Sequence, residues 1–326
     1  MPNEPPSSYP EIYLSKTDAA LPIWFSNDYK KYKNIQPMHG GGNGVLMSCD
    51  DLNLGRRIAI KLLKPGQQNS ARERKRLLRE ARVTAQLAHP NTIPVYEIGK
   101  TTDGELYFAM KKVEGENLFQ ALIRIAQGDE QTKAYFTIDR LLSVLIQVAH
   151  ALSYAHSHGV IHRDIKPENI FLGIFGEVYL MDWGVAKVWG MPAQDESVTD
   201  PGQLSDNPRV TETGQHPGTP LYMSPEQIRG TPTVDERSDI FSLGIVLYEI
   251  LTQREPFRGS DVQETFANIL HKAPPPPSQV ASERELPAEL DAICMKALKK
   301  KPRDRFQSAE EMIEEIEQFR QRSASC

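Results

Sequence analysis

The stretch SDIFSLGIVLYEILT, Ser238 to Thr252, sets the scale of any fold available to this chain. Apolar residues fall on every side of a helix wound from it, so no face of that helix can be left to water. Such a helix needs a core all around it, and 326 residues are enough to supply one. The apolar run from Leu243 to Leu251 is much too short to cross a bilayer, which takes about 20 residues. The helix is therefore expected at the centre of a large, mostly helical region.

The chain ahead of it has a different character. From Tyr32 to Lys61 the pattern reads as strand, Gly-rich turn, strand, a polar turn at Asp50 to Arg57, and then the β-prone RRIAIKLL. Ser70 to Ala88, SARERKRLLREARVTAQLA, is rich in helix formers and brings Leu77, Leu78, Ala81 and Ala85 to one face; HPN follows as a turn. TIPVYEIG and ELYFAMKKV complete a small sheet, and beyond Gly115 helical periodicity takes over. Leu141 to Gly159, Leu286 to Leu298 and Ser308 to Arg320 read as further helices, and the PPPP within Ala273 to Ser278 as a stiff connector. The expectation is an α+β chain of two lobes: a small antiparallel β-sheet lobe with one main helix over 30–113, and a larger, mostly helical lobe over 114–321. Residues 1–29, with isolated aromatics such as Trp24 and Phe25, read as an extension, and 322–326 as a tail.

Composition excludes several classes. A hydrophobic fraction of 39% with 25% charged residues is that of a globular protein rather than a disordered one. A net charge of −5 argues against a general nucleic-acid binder. Cys49, Cys294 and Cys326 are odd in number and far apart, which suggests neither a disulfide framework nor a zinc site and fits a reducing compartment. MPNEPPSSYPEIY lacks the basic and apolar regions of a signal peptide. A cytoplasmic chain without a membrane span is expected, tethered to a membrane only through a region beyond its C-terminus.

The chemistry is concentrated in three segments: HRDIKPEN at His162 to Asn169, DWG at Asp182 to Gly184, and GTPLYMSPE at Gly218 to Glu226. In this order and at these separations they resemble the catalytic loop, the metal-binding motif and the end of the activation segment of the protein kinases. The resemblance covers roughly residues 32 to 320 and has the flavour of the eukaryotic-like (Hanks-type) serine/threonine kinases of bacteria; AHPNTIPVYEIG and LKKKPRDRFQSAEEM are further similarities. It implies ATP and Mg2+, with Mn2+ as a substitute, protein substrates with Ser or Thr acceptors, and an N-lobe homodimer for trans-autophosphorylation.

Phosphoryl transfer needs positioning and charge neutralisation more than covalent help, and each role has a candidate. Asp164 would accept a hydrogen bond, then the proton, from the substrate hydroxyl. Lys166 would neutralise the migrating group, and Asn169 and Asp182 offer oxygen ligands to magnesium. Lys61 sits in a strand from which its ammonium could reach the α- and β-phosphates; Glu80 on the next helix is the carboxylate to hold it, ahead of Glu73. Lys166 together with Thr219 resembles the Ser/Thr-specific pattern. The resemblance further implies that Leu46 and Ala59 lie above the adenine and Phe171 below it, with Met110 at the back and Lys111 to Val113 as hinge.

Trp183 replaces the usual Phe of DFG, a tolerable exchange of aromatics. Glu226 is expected to pair with Arg305, and Asp239 to steady the catalytic loop as a buried structural residue. The segment from Asp182 to Glu226 is long and polar, so ordering it should need a signal. Thr211 and Thr213 stand where related bacterial kinases carry phosphothreonines, and a phosphate there, of charge about −1.5 to −2, would pair with Arg163.

The glycine loop MHGGGNGVLMS, Met38 to Ser48, is the irregular part. In the preferred alignment GxGxxGxV falls on His39, Gly41, Gly44 and Leu46; in the alternative it falls on Gly40, Gly42, Val45 and Met47. Either way one glycine is missing, while the middle glycine, Gly41 or Gly42, still lets backbone N–H groups approach phosphates. A looser ATP site is expected, which His39→Gly should tighten. Two other readings compete: a pseudokinase or nucleotide-binding scaffold with an impaired loop, and a small-molecule phosphotransferase. Retention of Lys61, Glu80, Asp164, Asn169 and Asp182 speaks against the first, and the protein-substrate platform GTPLYMSPE against the second.

Overall fold

The computed structural model describes residues 26–38, 44–188, 220–231 and 234–324. The described chain packs as two units. The smaller holds the residues up to Leu77 together with Val95–Lys112; the larger holds Leu78–Pro94 and the residues from Val113 onward.

In the smaller unit, β1 (Tyr32–Pro37), β2 (Val45–Asp51), β3 (Arg56–Leu62), β4 (Val95–Lys100) and β5 (Leu106–Lys111) form one antiparallel sheet in the order β1-β2-β3-β5-β4. Cys49, Ile58, Ile60, Tyr107, Ala109 and Tyr32 make its core on one face. The period of two along a strand then puts Lys61 and Ala59 on the other. The expected polar turn at Asp50 to Arg57 is shorter than its composition suggested, because an Arg57–Asp50 ion pair at 2.9 Å carries the ladder onward and leaves only Leu52 to Gly55 to turn. Gly55, at φ 62, supplies the left-handed residue that turn needs.

Helix α1 (Ala71–Gln86) crosses the division between the units. Its buried residues are Leu77, Glu80, Ala81, Val83 and Thr84, whereas Ala85 is exposed, so the inward face is rotated from the one its Leu and Ala content implied. A carboxylate therefore lies on the buried side. Residues 78–94 go with the larger unit, because Val83 and Leu87 belong to its core, Thr92 bridges to Leu180, and the Asn91 amide donates to the Val178 carbonyl at 2.9 Å.

The larger unit continues with β6 (Gly115–Asn117), α2 (Leu118–Ala126), α3 (Glu130–Tyr135), α4 (Ile138–Ser157), β7 (Val160–Ile161), β8 (Ile170–Gly173), β9 (Val178–Leu180) and β10 (Lys187–Val188). After these come α5 (Pro225–Ile228), α6 (Glu236–Thr252), α7 (Val262–His271), α8 (Pro277–Val280), α9 (Ala288–Ala297) and α10 (Ala309–Ala324). Helix α4 starts earlier than the apolar pattern indicated, because Thr137 caps it by accepting from the Arg140 N–H at 3.3 Å. In α6 every residue from Ser238 to Thr252 is buried, as its all-round apolar sequence demands. Its neighbour α9 comes so close that a Cβ on Gly244 would sit 2.7 Å from the Ala297 Cβ. Among the described residues no helix is long and apolar enough to cross a membrane.

Candidate active site

Within the larger unit the chain leaves β7 at Ile161 and runs through His162 to Asn169 before entering β8. Arg163 there has φ 68, and Asp182, two residues past β9, has φ 60. Left-handed backbone at a non-glycine costs on the order of 1 kcal/mol or more, so something must hold it. For Arg163 the holder is Asp239, fully buried on α6. Its Oδ1 accepts from the Arg163 N–H and its Oδ2 from the His162 N–H, both at 2.8 Å. His156 at the end of α4 donates to the same Oδ2 at 2.9 Å. Burial alone would push the Asp239 carboxyl up; the hydrogen bond and charge of His156 outweigh that and hold its pKa below the ordinary value.

Asp164, Lys166 and Asn169 come together on this frame. The Lys166 ammonium donates to both Asp164 carboxylate oxygens, at 2.9 and 2.8 Å. Burial disfavours the charged lysine, but the Asp164 carboxylate more than compensates and raises its pKa. The Asn169 amide nitrogen donates to the Asp164 carbonyl at 2.8 Å and to its Oδ2 at 3.1 Å. That assigns the nitrogen end of the amide to Asp164 and leaves the oxygen end to act as an acceptor or metal ligand. The loop and the Asp182 segment are tied by backbone, the Met181 N–H donating to the Asn169 carbonyl at 2.8 Å.

His162 contributes more than its place in HRD revealed. Its Nδ1 accepts from the Asp164 N–H at 3.2 Å while its Nε2 donates to the Met181 carbonyl at 2.9 Å, so one ring links the residue before Asp182 to the peptide of Asp164. Trp183, fully buried, packs on that ring at 4.5 Å between centroids and donates its indole N–H to the Leu180 carbonyl at 3.3 Å. Gly184 donates its N–H to Asp182 Oδ1 at 3.3 Å. Phe171 lies on β8, opposite Asn117 of β6 and Tyr179 of β9, and Val113 begins the second stretch of this unit. Arg163 directs its Nε to the Val185 carbonyl at 2.8 Å.

In the smaller unit, register decides which side chains share a face. Leu46 stands opposite Lys61, Lys61 opposite Phe108, and Ala59 opposite both Ser48 and Met110, so Leu46, Ala59, Lys61 and Met110 lie on one face of the sheet. Met47 stands opposite Ile60, on the core face. Lys61 is 8% exposed, with its ammonium 6.0 Å from the Phe108 ring centroid. Gly44 approaches this strand closely: a Cβ there would lie 2.7 Å from the Leu62 carbonyl oxygen and 3.2 Å from the Lys61 Cε. Lys111 ends β5.

Glu80 is buried on the part of α1 that belongs to the larger unit. Arg305 and Glu226 form a bidentate pair, at 2.7 and 2.9 Å, with the Ser238 hydroxyl donating to Glu226 Oε1 at 2.5 Å. His39, Gly41, Gly42, Thr211, Thr213 and Thr219 lie outside the described residues. Two residues of the site had no assigned role in the sequence reading: His162, quoted there only as part of a motif, and His156, whose one signal was a polar ring on an apolar-periodic helix.

A protein kinase domain family model matches residues 32–316. The serine/threonine-protein kinase PknD of Protochlamydia amoebophila is 36% identical over 293 residues, which are 88% of this chain and 30% of that protein. Its namesake from Chlamydia caviae is 35% identical over 300 residues, 90% of this chain and 32% of that protein. The chain thus spans about a third of the length of the curated relatives it matches. Because the family match runs from Tyr32 through both units to Ile316, the chain belongs to the protein kinase family.

Proposed function

We propose that the chain is a serine/threonine protein kinase that transfers the γ-phosphoryl group of ATP, with Mg2+, to protein hydroxyls. The arrangement of Asp164 carries this reading: its carboxylate is held by Lys166 and Asn169, its N–H by His162, and the backbone of the two residues before it by the buried Asp239. A hydroxyl hydrogen-bonded to Asp164 attacks the γ-phosphorus; as the new P–O bond forms, the bond to the bridging oxygen breaks and its electrons leave with ADP. The hydroxyl proton passes to Asp164. Lys166, already charge-paired with Asp164, offsets negative charge on the migrating group.

Kinases of this family use ATP and Mg2+. The donor set here suits that ion: the amide oxygen of Asn169 and the carboxylate of Asp182 are hard ligands and would hold it. When bound, Mg2+ neutralises phosphate charge. Lys61 and Glu80 keep the roles the resemblance gives them, on the α- and β-phosphates and as the lysine's carboxylate partner. The face shared by Leu46, Ala59 and Lys61, and the tight fit at Gly44, favour the alignment with Gly44 as third glycine of the loop. Serine/threonine preference rests on Lys166, on Thr219 and on the printed names of the relatives. Autophosphorylation at Thr211 or Thr213 with pairing to Arg163, an N-lobe homodimer and a cytoplasmic location remain part of this proposal.

Incubation with γ-labelled ATP, Mg2+ and a generic protein substrate tests it. Label on serine and threonine is expected. Label confined to tyrosine, or absent with a substrate that a control kinase labels, overturns it.

A further inference from the structure

Gln227 follows the SPE triplet and looks like a surface residue of a short helix. Its side chain does two things at once. The Oε1 accepts from the Ser224 N–H at 2.9 Å, while the Gln227 N–H donates to the Ser224 hydroxyl at 3.4 Å, a capping box at the start of α5. The Nε2 donates at 2.8 Å to the carbonyl of Arg163, 64 residues away in the chain. That carbonyl belongs to the peptide unit leading into Asp164. The N–H of the same unit is the one that His162 Nδ1 accepts, so the plane of this peptide is held at both ends. On its other side Arg163, at φ 68, is held by Asp239. Rotation of this peptide would swing Asp164 away from its aim, and Gln227 is the side chain that stops its carbonyl.

The geometry points to Gln227 as a positioning residue: its amide clamps the Arg163–Asp164 peptide and so ties the aim of Asp164 to the folding of α5, the end of the activation segment. The clamp rests on the proposed role of Asp164 as proton acceptor. It has a consequence for coupling, because a displaced α5 withdraws the donor from the catalytic loop even when every residue of HRDIKPEN is in place.

Gln227→Glu separates the two jobs. Glutamate is itself a capping-box residue and keeps the bond from Ser224, but it has no N–H for the Arg163 carbonyl and sets a carboxylate oxygen against it. The expected result is a kcat lowered about tenfold or more, worth about 1.4 kcal/mol per factor of ten. The KM for ATP should stay within about twofold, the signature of an interaction made for the chemical step. With an ordinary value of about 4.3 the introduced carboxyl stays ionised from about pH 8 to about pH 6 and cannot donate, so the kcat deficit of this variant should persist across that range. Gln227→Met removes the donor without charge and should lose kcat equally at every pH. Ser224→Ala, which weakens only the cap, should lower Tm and leave kcat largely intact.

A Gln227→Glu or Gln227→Met kcat within about twofold of the unaltered chain overturns the clamp, and so does an equal loss of kcat in Ser224→Ala. Asp164→Asn, run alongside, keeps the claims apart: if it stays fully active, the reading of the site itself has failed, whatever Gln227 does.

Discussion

Arg305→Met tests the buried pair that anchors the end of the activation segment. In the folded chain the Arg305 side chain has no exposure. It gives two hydrogen bonds to Glu226 and three more to the carbonyls of Arg237, Lys299 and Lys300, at 2.7, 2.7 and 3.0 Å. Methionine keeps the apolar stem and deletes all five, leaving an uncompensated carboxylate among buried atoms. Removing one partner of such a pair costs about 3–5 kcal/mol. For a unit of this size that is a fall in Tm of roughly 6–20 °C. Glu226→Gln should cost less, because the three carbonyls still hold the guanidinium. The pH dependence has a definite sign. Burial would raise the Glu226 pKa, but Arg305 and Ser238 outweigh it and hold it below the ordinary carboxylate value. The stabilisation is thus present above the unfolded pKa and is lost as pH falls through the folded one. Calorimetric unfolding of both variants from neutral to acid pH is the assay. A loss below about 1 kcal/mol for Arg305→Met, or a Glu226→Gln deficit that grows towards acid pH, refutes the reasoning.

Glu249, on α6, is buried and accepts from the Tyr222 hydroxyl at 2.6 Å; burial pushes its pKa up to about 8. A carboxyl raised in the folded state weighs against folding increasingly as pH climbs from its unfolded value towards about 8. Glu249→Gln should therefore stabilise the chain at pH 7, by at most roughly 3 kcal/mol, and change little in acid; denaturant titration at several pH values checks this. Gly44→Ala puts a methyl against the Leu62 carbonyl and the Lys61 stem, and a rise of about tenfold in the KM for ATP is expected in steady-state assays. Trp183→Phe removes a buried ring edge and the indole bond to Leu180; about 1–3 kcal/mol of stability should go with it, read from thermal unfolding.

Much of this was legible in the sequence because it is local. Asp164, Lys166 and Asn169 lie within six consecutive positions, and their contacts follow once the chain turns from β7 into β8. The apolar circumference of Ser238 to Thr252 announced α6 and its burial for the same reason. What stayed hidden depends on pairs far apart in the chain. Gln227 carries no marking that it reaches Arg163, and nothing in HPN says that Asn91 bonds across 87 residues to Val178 and draws the end of α1 into the larger unit. Nor does composition reveal that Arg57 answers Asp50 across a turn that reads as loop, or that the buried side of α1 includes Glu80. In each case tertiary partners decided what propensity left open.

The central claim is that Asp164 takes the proton of the acceptor hydroxyl, and the kcat of Asp164→Asn measures it most directly. Asparagine keeps the shape and loses the base. With saturating ATP and Mg2+, the account predicts a fall of about 10²–10⁴-fold with nucleotide affinity retained. An Asp164→Asn chain that phosphorylates protein substrate at the rate of the unaltered one would contradict it.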